Sequence, residues 1–327
     1  MLSLKKNLAA AIVCSFLATS AYAEITFVGG ITQAKDTPLT NTLEKFAELA
    51  TQKTNGEVKF DIKTDSVLGG EREMTEAMQL GTIDFGMIST APLSNFAPSI
   101  GVCDLPFIFQ NRSHAWAVLS GSIGDELFSA LPDQGLVGLS WIDNGFRSVY
   151  AKDREIRTPA DMKDLKIRVM ESDIYIKTFT ALTAQPVPMS SSEVYTALQQ
   201  GTIDAGENSI ISYNTLKYYE VAPVYSMTNH TYSVMPIIFS KASFDRLTPE
   251  QQKALKEAAV EAAKWHIDQG ESDDTFFMEN VKKVRPDVKV ITIEDLTPFR
   301  DAVKGVYEEY APLFRENLIN DVLNTKY

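Results

Sequence analysis

Two stretches of this chain share one pattern: residues 76–86 read EAMQLGTIDFG, and residues 196–206 read TALQQGTIDAG. Each stretch is typical of the end of a helix, followed by a glycine and by a short strand that carries Ile and Asp. The two copies are 120 residues apart, which is too far for a solenoid repeat and suits two lobes of similar architecture. Two such lobes enclose a cleft, and a cleft is a common binding place for a small molecule.

The segments around these copies alternate between helix and strand patterns. Residues 58–63 alternate apolar and charged side chains, as a half-buried strand does. Ser190 and Glu193 predict a capping box at the start of the second repeat helix, and residues 231–239 predict a long apolar strand that crosses between the lobes. Helices that alternate with short strands indicate an α/β fold.

The N-terminus has the features of an export signal. Lys5 and Lys6 precede an apolar run at residues 8–18, and residues 21–23 read Ala-Tyr-Ala, a signal-peptidase pattern. We therefore expect residues 1–23 to be a signal peptide and the mature protein to be periplasmic.

Composition and motifs argue against several classes of function. The net charge is −12, and an acidic chain repels nucleic acid. The three histidines are not spaced with Cys, Asp or other His residues as metal ligands are. The sequence lacks a nucleophile elbow, a phosphate loop and a dinucleotide-binding glycine triplet. We expect no enzyme activity, no cofactor and no metal.

Two arginines are candidates for holding an anion. Arg168 lies near the carboxyl end of a predicted strand, where α/β folds place their ligands. Arg147 follows a strand near the predicted crossing between the lobes. A guanidinium can bind a carboxylate through two parallel hydrogen bonds. From the residues alone, a surface position or a salt bridge is the favoured interpretation for both, because that is the more common role of an arginine at a strand end.

Short polar side chains follow both copies of the repeated strand. Ser89 and Thr90 follow the first copy, and Asn208 and Ser209 follow the second. If the lobes face each other, these groups meet at the cleft; the alternative is that they cap the helices that follow.

Several motifs together resemble the DctP-type solute-binding proteins of tripartite ATP-independent periplasmic (TRAP) transporters, over essentially the whole mature chain. The runs that carry this resemblance are LGGERE at 68–73, LPFIF at 105–109, NGFR at 144–147, LKIRV at 165–169, PVPM at 186–189, SEVYTALQQG at 192–201 and DAGEN at 204–208.

The resemblance implies a type II periplasmic-binding-protein fold, in which two α/β lobes joined by hinge crossings close around one ligand. On this fold we expect lobe I to comprise residues 24–144 plus 233–272, and lobe II to comprise residues 145–232 plus 273–327. A long helix is expected to span the lobes.

The resemblance also assigns binding roles. Arg168 takes the role of the arginine that pairs with the ligand carboxylate, Arg147 is the second arginine, and Asn208 orients the ligand. The chain is most similar to family members that bind uronic or aldonic sugar acids. This resemblance implies further binding residues, which would contact the hydroxyl groups of the ligand. These further candidates are Gln33, Glu71, Ser89, Thr90, Asp143 and Tyr213.

The chain departs from those sugar-acid binders at two places. Ser89 stands where they often have Asn, and Val234-Met235 stands where they often have Pro-Glu. The acid that sialic-acid binders place near residues 89–90 is also absent. We therefore expect a sugar acid other than sialic acid.

The function implied is capture of a small carboxylate in the periplasm and its delivery to the TRAP membrane permease by a monomeric binding protein. A C4-dicarboxylate or another short acid is the alternative ligand, with Arg147 holding a second carboxylate. An exported enzyme and a protein that docks on a sensor remain as alternatives of other classes.

Overall fold

The computed structural model describes residues 24–270 and 272–327. The predicted signal peptide lies outside the described residues. The α/β class predicted from the sequence is confirmed. The strands are β1 Ile25–Gly30, β2 Val58–Lys63, β3 Phe85–Met87, β4 Leu136–Ser140, β5 Asp143–Ala151, β6 Lys166–Val169, β7 Gln185–Pro188, β8 Ala205–Ser209, β9 Val224–Val234, β10 Ile237–Ser240 and β11 Lys289–Ile291.

Helices separate most of these strands. They are α1 Pro38–Lys53, α2 Glu71–Gln79, α3 Thr90–Leu93, α4 Arg112–Leu119, α5 Ser122–Ser129, α6 Asp173–Ala181, α7 Ser191–Gln200, α8 Ile210–Thr215, α9 Lys241–Phe244, α10 Pro249–Asp268, α11 Asp274–Val284, α12 Thr297–Ala302, α13 Lys304–Tyr310 and α14 Leu318–Asn324. The long helix α10 packs on α1 and β4 and also contacts β5.

The strands form two sheets. The first has the order β2-β1-β3-β10-β4, and the second has the order β11-β9-β5-β8-β6-β7. In the first sheet β1 is parallel to β2 and β3, and in the second β6 is parallel to β7 and β8. Parallel neighbours end at the same edge of a sheet, so each sheet has one edge where several strand ends converge.

The chain crosses between the sheets three times: once from β10 to β11, through α9, α10 and α11, and twice at two adjacent places. One of the adjacent crossings joins β4 to β5 and the other joins β9 to β10, and the Met235 amide donates to the Ile142 carbonyl at 2.9 Å where they pass. The predicted long strand over residues 231–239 is therefore two strands, one in each sheet, separated at Met235-Pro236. The paired crossings suit a hinge. The predicted lobe boundaries lie near them and stay a prediction.

The repeated sequence has the same structural role in both halves. Asp84 Oδ2 accepts from the Val28 amide at 2.7 Å, and Asp204 Oδ2 accepts from the Lys166 amide at 3.2 Å. The backbone amides of these two aspartates donate in return to the carbonyls of Val28 and Lys166, both at 2.8 Å. The shared aspartate thus fastens the repeated strand to its parallel neighbour.

The core of the first sheet depends on close packing around two glycines. Gly29 and Gly30 lie inside β1. A Cβ on Gly29 would be 2.1 Å from the Phe85 carbonyl oxygen, and one on Gly30 would be 2.2 Å from the Lys63 carbonyl oxygen. Glycine is needed here because the neighbouring backbones leave no room for a side chain.

We predict that Gly29→Ala destabilises the protein by about 3 kcal/mol or more, since the Phe85 backbone cannot move away without disturbing the sheet. Chemical denaturation of both proteins measures the difference. Gly305→Ala is the matched control, because nothing lies within 4 Å of its added Cβ, and it should be neutral or stabilising by about 0.5–1 kcal/mol within its helix. Equal stability of Gly29→Ala and wild type would contradict the packing argument.

Candidate functional site

A cavity lies between the two sheets, where strand ends of both converge. Its space measures about 450 Å³ when its opening to solvent is included. The lining residues follow the carboxyl ends of several strands or begin the next helix, as ligand sites in α/β folds do. They are Gln33, Glu71, Ser89, Pro92, Asn144, Arg147, Arg168, Met170, Glu171, Ser190, Ser191, Asn208, Ser212 and Met235.

Arg168 lines this cavity with one side of its guanidinium already fixed. The residue is 3% exposed, and its Nε donates to the Met189 carbonyl at 2.9 Å. In the described part of the chain, neither Nη atom has a hydrogen bond or an ion pair. The charges of Glu71 and Glu171 act on this guanidinium without a direct contact, so both Nη atoms can donate to an anion in the cavity.

Arg147 also lines the cavity, but a carboxylate already holds it. Its Nε and Nη2 contact the two carboxylate oxygens of Glu207 at 2.6 and 2.8 Å, and its Nη1 donates to Asn208 Oδ1 at 2.9 Å. Both charged side chains are buried. Burial alone would raise the pKa of Glu207, but Arg147 and His230 lower it to about 2. The pair is therefore ionised and neutral overall.

The first sheet contributes hydrogen-bond acceptors. Glu71 is the first residue of α2, and its carboxylate accepts from the Ser89 amide at 3.2 Å and from Ser89 Oγ at 3.1 Å. Burial raises the pKa of Glu71, while the Ser89 hydrogen bonds and the charges of Arg168 and Arg147 act in the opposite direction. Gln33 accepts at Oε1 from Thr215 Oγ1 at 3.4 Å, across the cleft.

Two asparagines from the second sheet complete the polar lining. Asn208 Oδ1 accepts from Arg147 and from the Ser209 amide, which leaves its Nδ2 as the donor toward the cavity. Asn144 Oδ1 accepts from Ser209 Oγ at 3.1 Å and from Ser212 Oγ at 3.2 Å. These contacts fix the orientation of both amides.

Six of the nine predicted binding residues line the cavity, and three lie elsewhere. Thr90 donates to the buried Asp104 at 2.7 Å. Asp143 accepts from the Gly145 amide and pairs with Arg112, while Asn144 and Arg147 of the same strand line the cavity, because the pairing of β5 with β9 is irregular between Asp143 and Phe146. Tyr213 is fully buried and donates to the Ala222 carbonyl at 2.8 Å; Ser212 faces the cavity in its place.

Sequence reasoning missed part of the lining. The predicted capping box at Ser190 is wrong: Ser190 makes no side-chain cap, and its Oγ pairs with Ser192 Oγ at 3.1 Å beside the cavity. Asn144 was detectable, since it precedes Arg147 in the same NGFR run. No local signal marks the apolar part of the lining, which comprises Pro92, Met170 and Met235.

Residues 24–270 and 272–327 form neither a metal site nor a helix that could span a membrane. These residues contain no group of three or more His, Cys, Asp or Glu side chains arranged to hold a metal ion. None of their helices has the length and apolar character needed to cross a membrane.

Solved structures similar to this one include proteins with bound sugar acids. A TRAP periplasmic solute-binding protein from Xanthobacter autotrophicus Py2 with bound β-D-galacturonate has a TM-score of 0.87 and 33% identity, covering 92% of this chain and 100% of that one. Another from Polaromonas sp. JS666, bound to D-erythronate, has a TM-score of 0.89 and 33% identity, covering 93% and 100%.

Sequence comparison agrees with the structural likeness. The 2,3-diketo-L-gulonate-binding periplasmic protein YiaO of Escherichia coli K12 is 36% identical over 260 residues, which are 80% of this chain and 79% of that protein. The family model for DctP, bacterial extracellular solute-binding protein family 7, matches residues 29–313. The chain belongs to this DctP family of TRAP periplasmic solute-binding proteins.

Proposed function

We propose that this protein binds a sugar acid with one carboxylate, a uronate or an aldonate, and that Arg168 holds that carboxylate. The observation that carries the proposal is the Arg168 guanidinium, whose Nε is fixed by Met189 and whose two Nη atoms have no partner in the described residues. A ligand carboxylate can accept both Nη hydrogen bonds in parallel and neutralise the buried charge.

The ligand class is supported by the relatives. The Xanthobacter structure contains galacturonate, the Polaromonas structure contains D-erythronate, and the E. coli relative is named for diketogulonate. All three are small carboxylates with several oxygen-bearing carbons. Glu71, Ser89 and Gln33 suit such a ligand, because hydroxyl groups can donate to carboxylate, hydroxyl and amide oxygens.

The state of Arg147 disfavours the alternative of a C4-dicarboxylate. A second ligand carboxylate would need a second available cation, and Glu207 already neutralises Arg147 with two contacts. Arg147 therefore acts in this proposal by holding Asn208, whose Nδ2 donates to a ligand oxygen.

The biological role that we propose follows from the family. The protein, exported to the periplasm by residues 1–23, captures the acid as a monomer and delivers it to the TRAP membrane permease without changing it chemically. Closure of the two lobes removes water from the cavity and strengthens each polar contact in it.

The proposal is tested by a thermal-shift screen of the purified mature protein against uronates, aldonates and short dicarboxylates. Because a ligand that binds only the folded state stabilises it by RT ln(1 + [L]/Kd), a micromolar ligand at millimolar concentration adds about 4 kcal/mol. We expect galacturonate, glucuronate or an aldonate to raise the melting temperature, and succinate and malate to leave it unchanged. A shift with succinate or malate alone would reject the sugar-acid assignment.

For the acid that gives the largest shift, Arg168→Ala should weaken binding about a hundredfold or more, since loss of one partner of a buried charge pair costs roughly 3–5 kcal/mol. Arg168→Lys should also bind poorly, because an ammonium cannot replace the two-pronged guanidinium. Isothermal titration calorimetry measures both. Arg157→Ala, which removes an exposed arginine paired with Glu155, is the control and should bind as wild type does. Wild-type affinity of Arg168→Ala would eliminate the assigned role.

Glu207→Gln should lower the free energy of unfolding by about 3–5 kcal/mol, because it leaves the buried Arg147 without its counter-charge. Denaturant titration gives the value. Glu126→Gln, which breaks a half-exposed pair with Arg315, is the comparison and should change stability by less than about 1 kcal/mol. Similar losses of unfolding free energy in the two variants would show that the buried Arg147–Glu207 pair contributes no more to stability than the half-exposed pair.

A further inference from the structure

Glu71 has a fixed position at the side of the cavity that the first sheet contributes. It begins α2 directly after Gly70, and a Cβ on Gly70 would lie 2.8 Å from Ser190 Oγ of the second lobe. The start of α2 therefore abuts the start of α7 across the cleft. The backbone of Glu71 is restricted by this contact, and its carboxylate is held by Ser89.

The Glu71 carboxylate is held without being neutralised. Both of its hydrogen bonds come from Ser89, one from the amide and one from the hydroxyl. Within the described residues it forms no ion pair, although the charges of Arg168 and Arg147 reach it. The cavity thus has a cation available for an anion on the second-sheet side and an acid on the first-sheet side; Glu171, the other acid of the lining, follows β6 and lies on the side of Arg168.

The two sides of the cavity therefore favour different chemical groups at the two ends of a ligand. A ligand carboxylate that binds Arg168 is favourable. A ligand hydroxyl near Glu71 can donate to a Glu71 carboxylate oxygen, which has a further lone pair available. A carboxylate at Glu71 would instead bring like charges together in a site with little water. Such a juxtaposition typically lowers affinity on the order of a hundredfold or more.

We propose that Glu71 is the specificity-determining residue that excludes a second carboxylate and restricts the site to acids with one charged end. This inference rests on the proposed function and deepens it, because it separates uronates and aldonates from aldarates, the sugar acids that carry a carboxylate at both ends.

Three six-carbon acids of matching stereochemistry test it: D-galacturonate, L-galactonate and galactarate, in which the end away from the shared carboxylate is a hemiacetal, a hydroxymethyl group and a second carboxylate. Calorimetry on the mature protein gives the dissociation constants. In the wild type we expect galactarate to bind at least a hundredfold more weakly than the better of the two monocarboxylates. In Glu71→Gln this ratio should fall at least tenfold, because glutamine keeps the size and removes the charge.

Glutamine suits the position because the Ser89 hydroxyl can donate to its oxygen or accept from its nitrogen. Glu73→Gln is the matched control: it removes the same charge from the same helical turn, on an exposed residue that does not line the cavity, and it should leave the ratio unchanged within about twofold. Glu71→Ala is the second variant, and it should shift the ratio in the same direction if Glu71→Gln folds poorly.

The outcomes separate this inference from the proposed function. Strong binding of galactarate by the wild type, or an unchanged ratio in folded Glu71 variants, overturns the role of Glu71 and leaves monocarboxylate binding in place. Failure of the wild type to bind any sugar acid in the screen overturns the proposed function and this inference with it.

Discussion

The buried ion pair between Arg147 and Glu207 is the constraint on which the cavity depends. It joins β5, the strand that follows the first crossing between the sheets, to β8, the repeated strand of the second half. Removing two charges from water is costly, and the bidentate contact and the further bonds to Asn208 and the Glu207 carbonyl offset that cost. The pair therefore fixes the donors at the base of the cavity and neutralises one of its two arginines.

Neutralising Arg147 leaves Arg168 as the lining cation whose Nη atoms are available. The other wall carries Glu71, Ser89 and Gln33, which offer oxygen acceptors. A ligand with a carboxylate at one end and hydroxyls at the other can form hydrogen bonds with both sides of the cavity at once. Such a ligand therefore favours the closed arrangement of the lobes. A ligand that satisfies only one wall gains less from closure, because closure has to remove water from the other wall as well.

Much of the fold was predictable, because it follows from local patterns. The repeated Gly-Thr-Ile-Asp run marked the same helix–strand unit in both halves, and its aspartates make equivalent backbone contacts. The long strand expected over residues 231–239 was wrong in one respect. The apolar run is continuous in sequence, but it supplies one strand to each sheet, and only the pairing partners decide where the first ends and the second begins.

The site was predictable to a smaller extent. The residues alone pointed to Arg168 and Arg147 as anion-binding candidates, and only the family resemblance assigned the ligand carboxylate to Arg168. The structure distinguishes them, because Glu207, sixty positions away from Arg147, lies within 2.6 Å of it. Asp143 and Asn144 are adjacent in sequence, and the irregular pairing of β5 with β9 accompanies a division of roles in which Asn144 lines the cavity and Asp143 pairs with Arg112.

The sequence by itself determined the α/β class, the internal duplication and the residue types available for binding an acid, because these depend on local periodicity, capping and composition. The tertiary structure alone decided which of the two arginines is paired with a carboxylate, which side chains share the cavity and that Glu71 and Arg168 both line it. Those properties depend on contacts between residues far apart in the chain, and no local pattern encodes the distance between them.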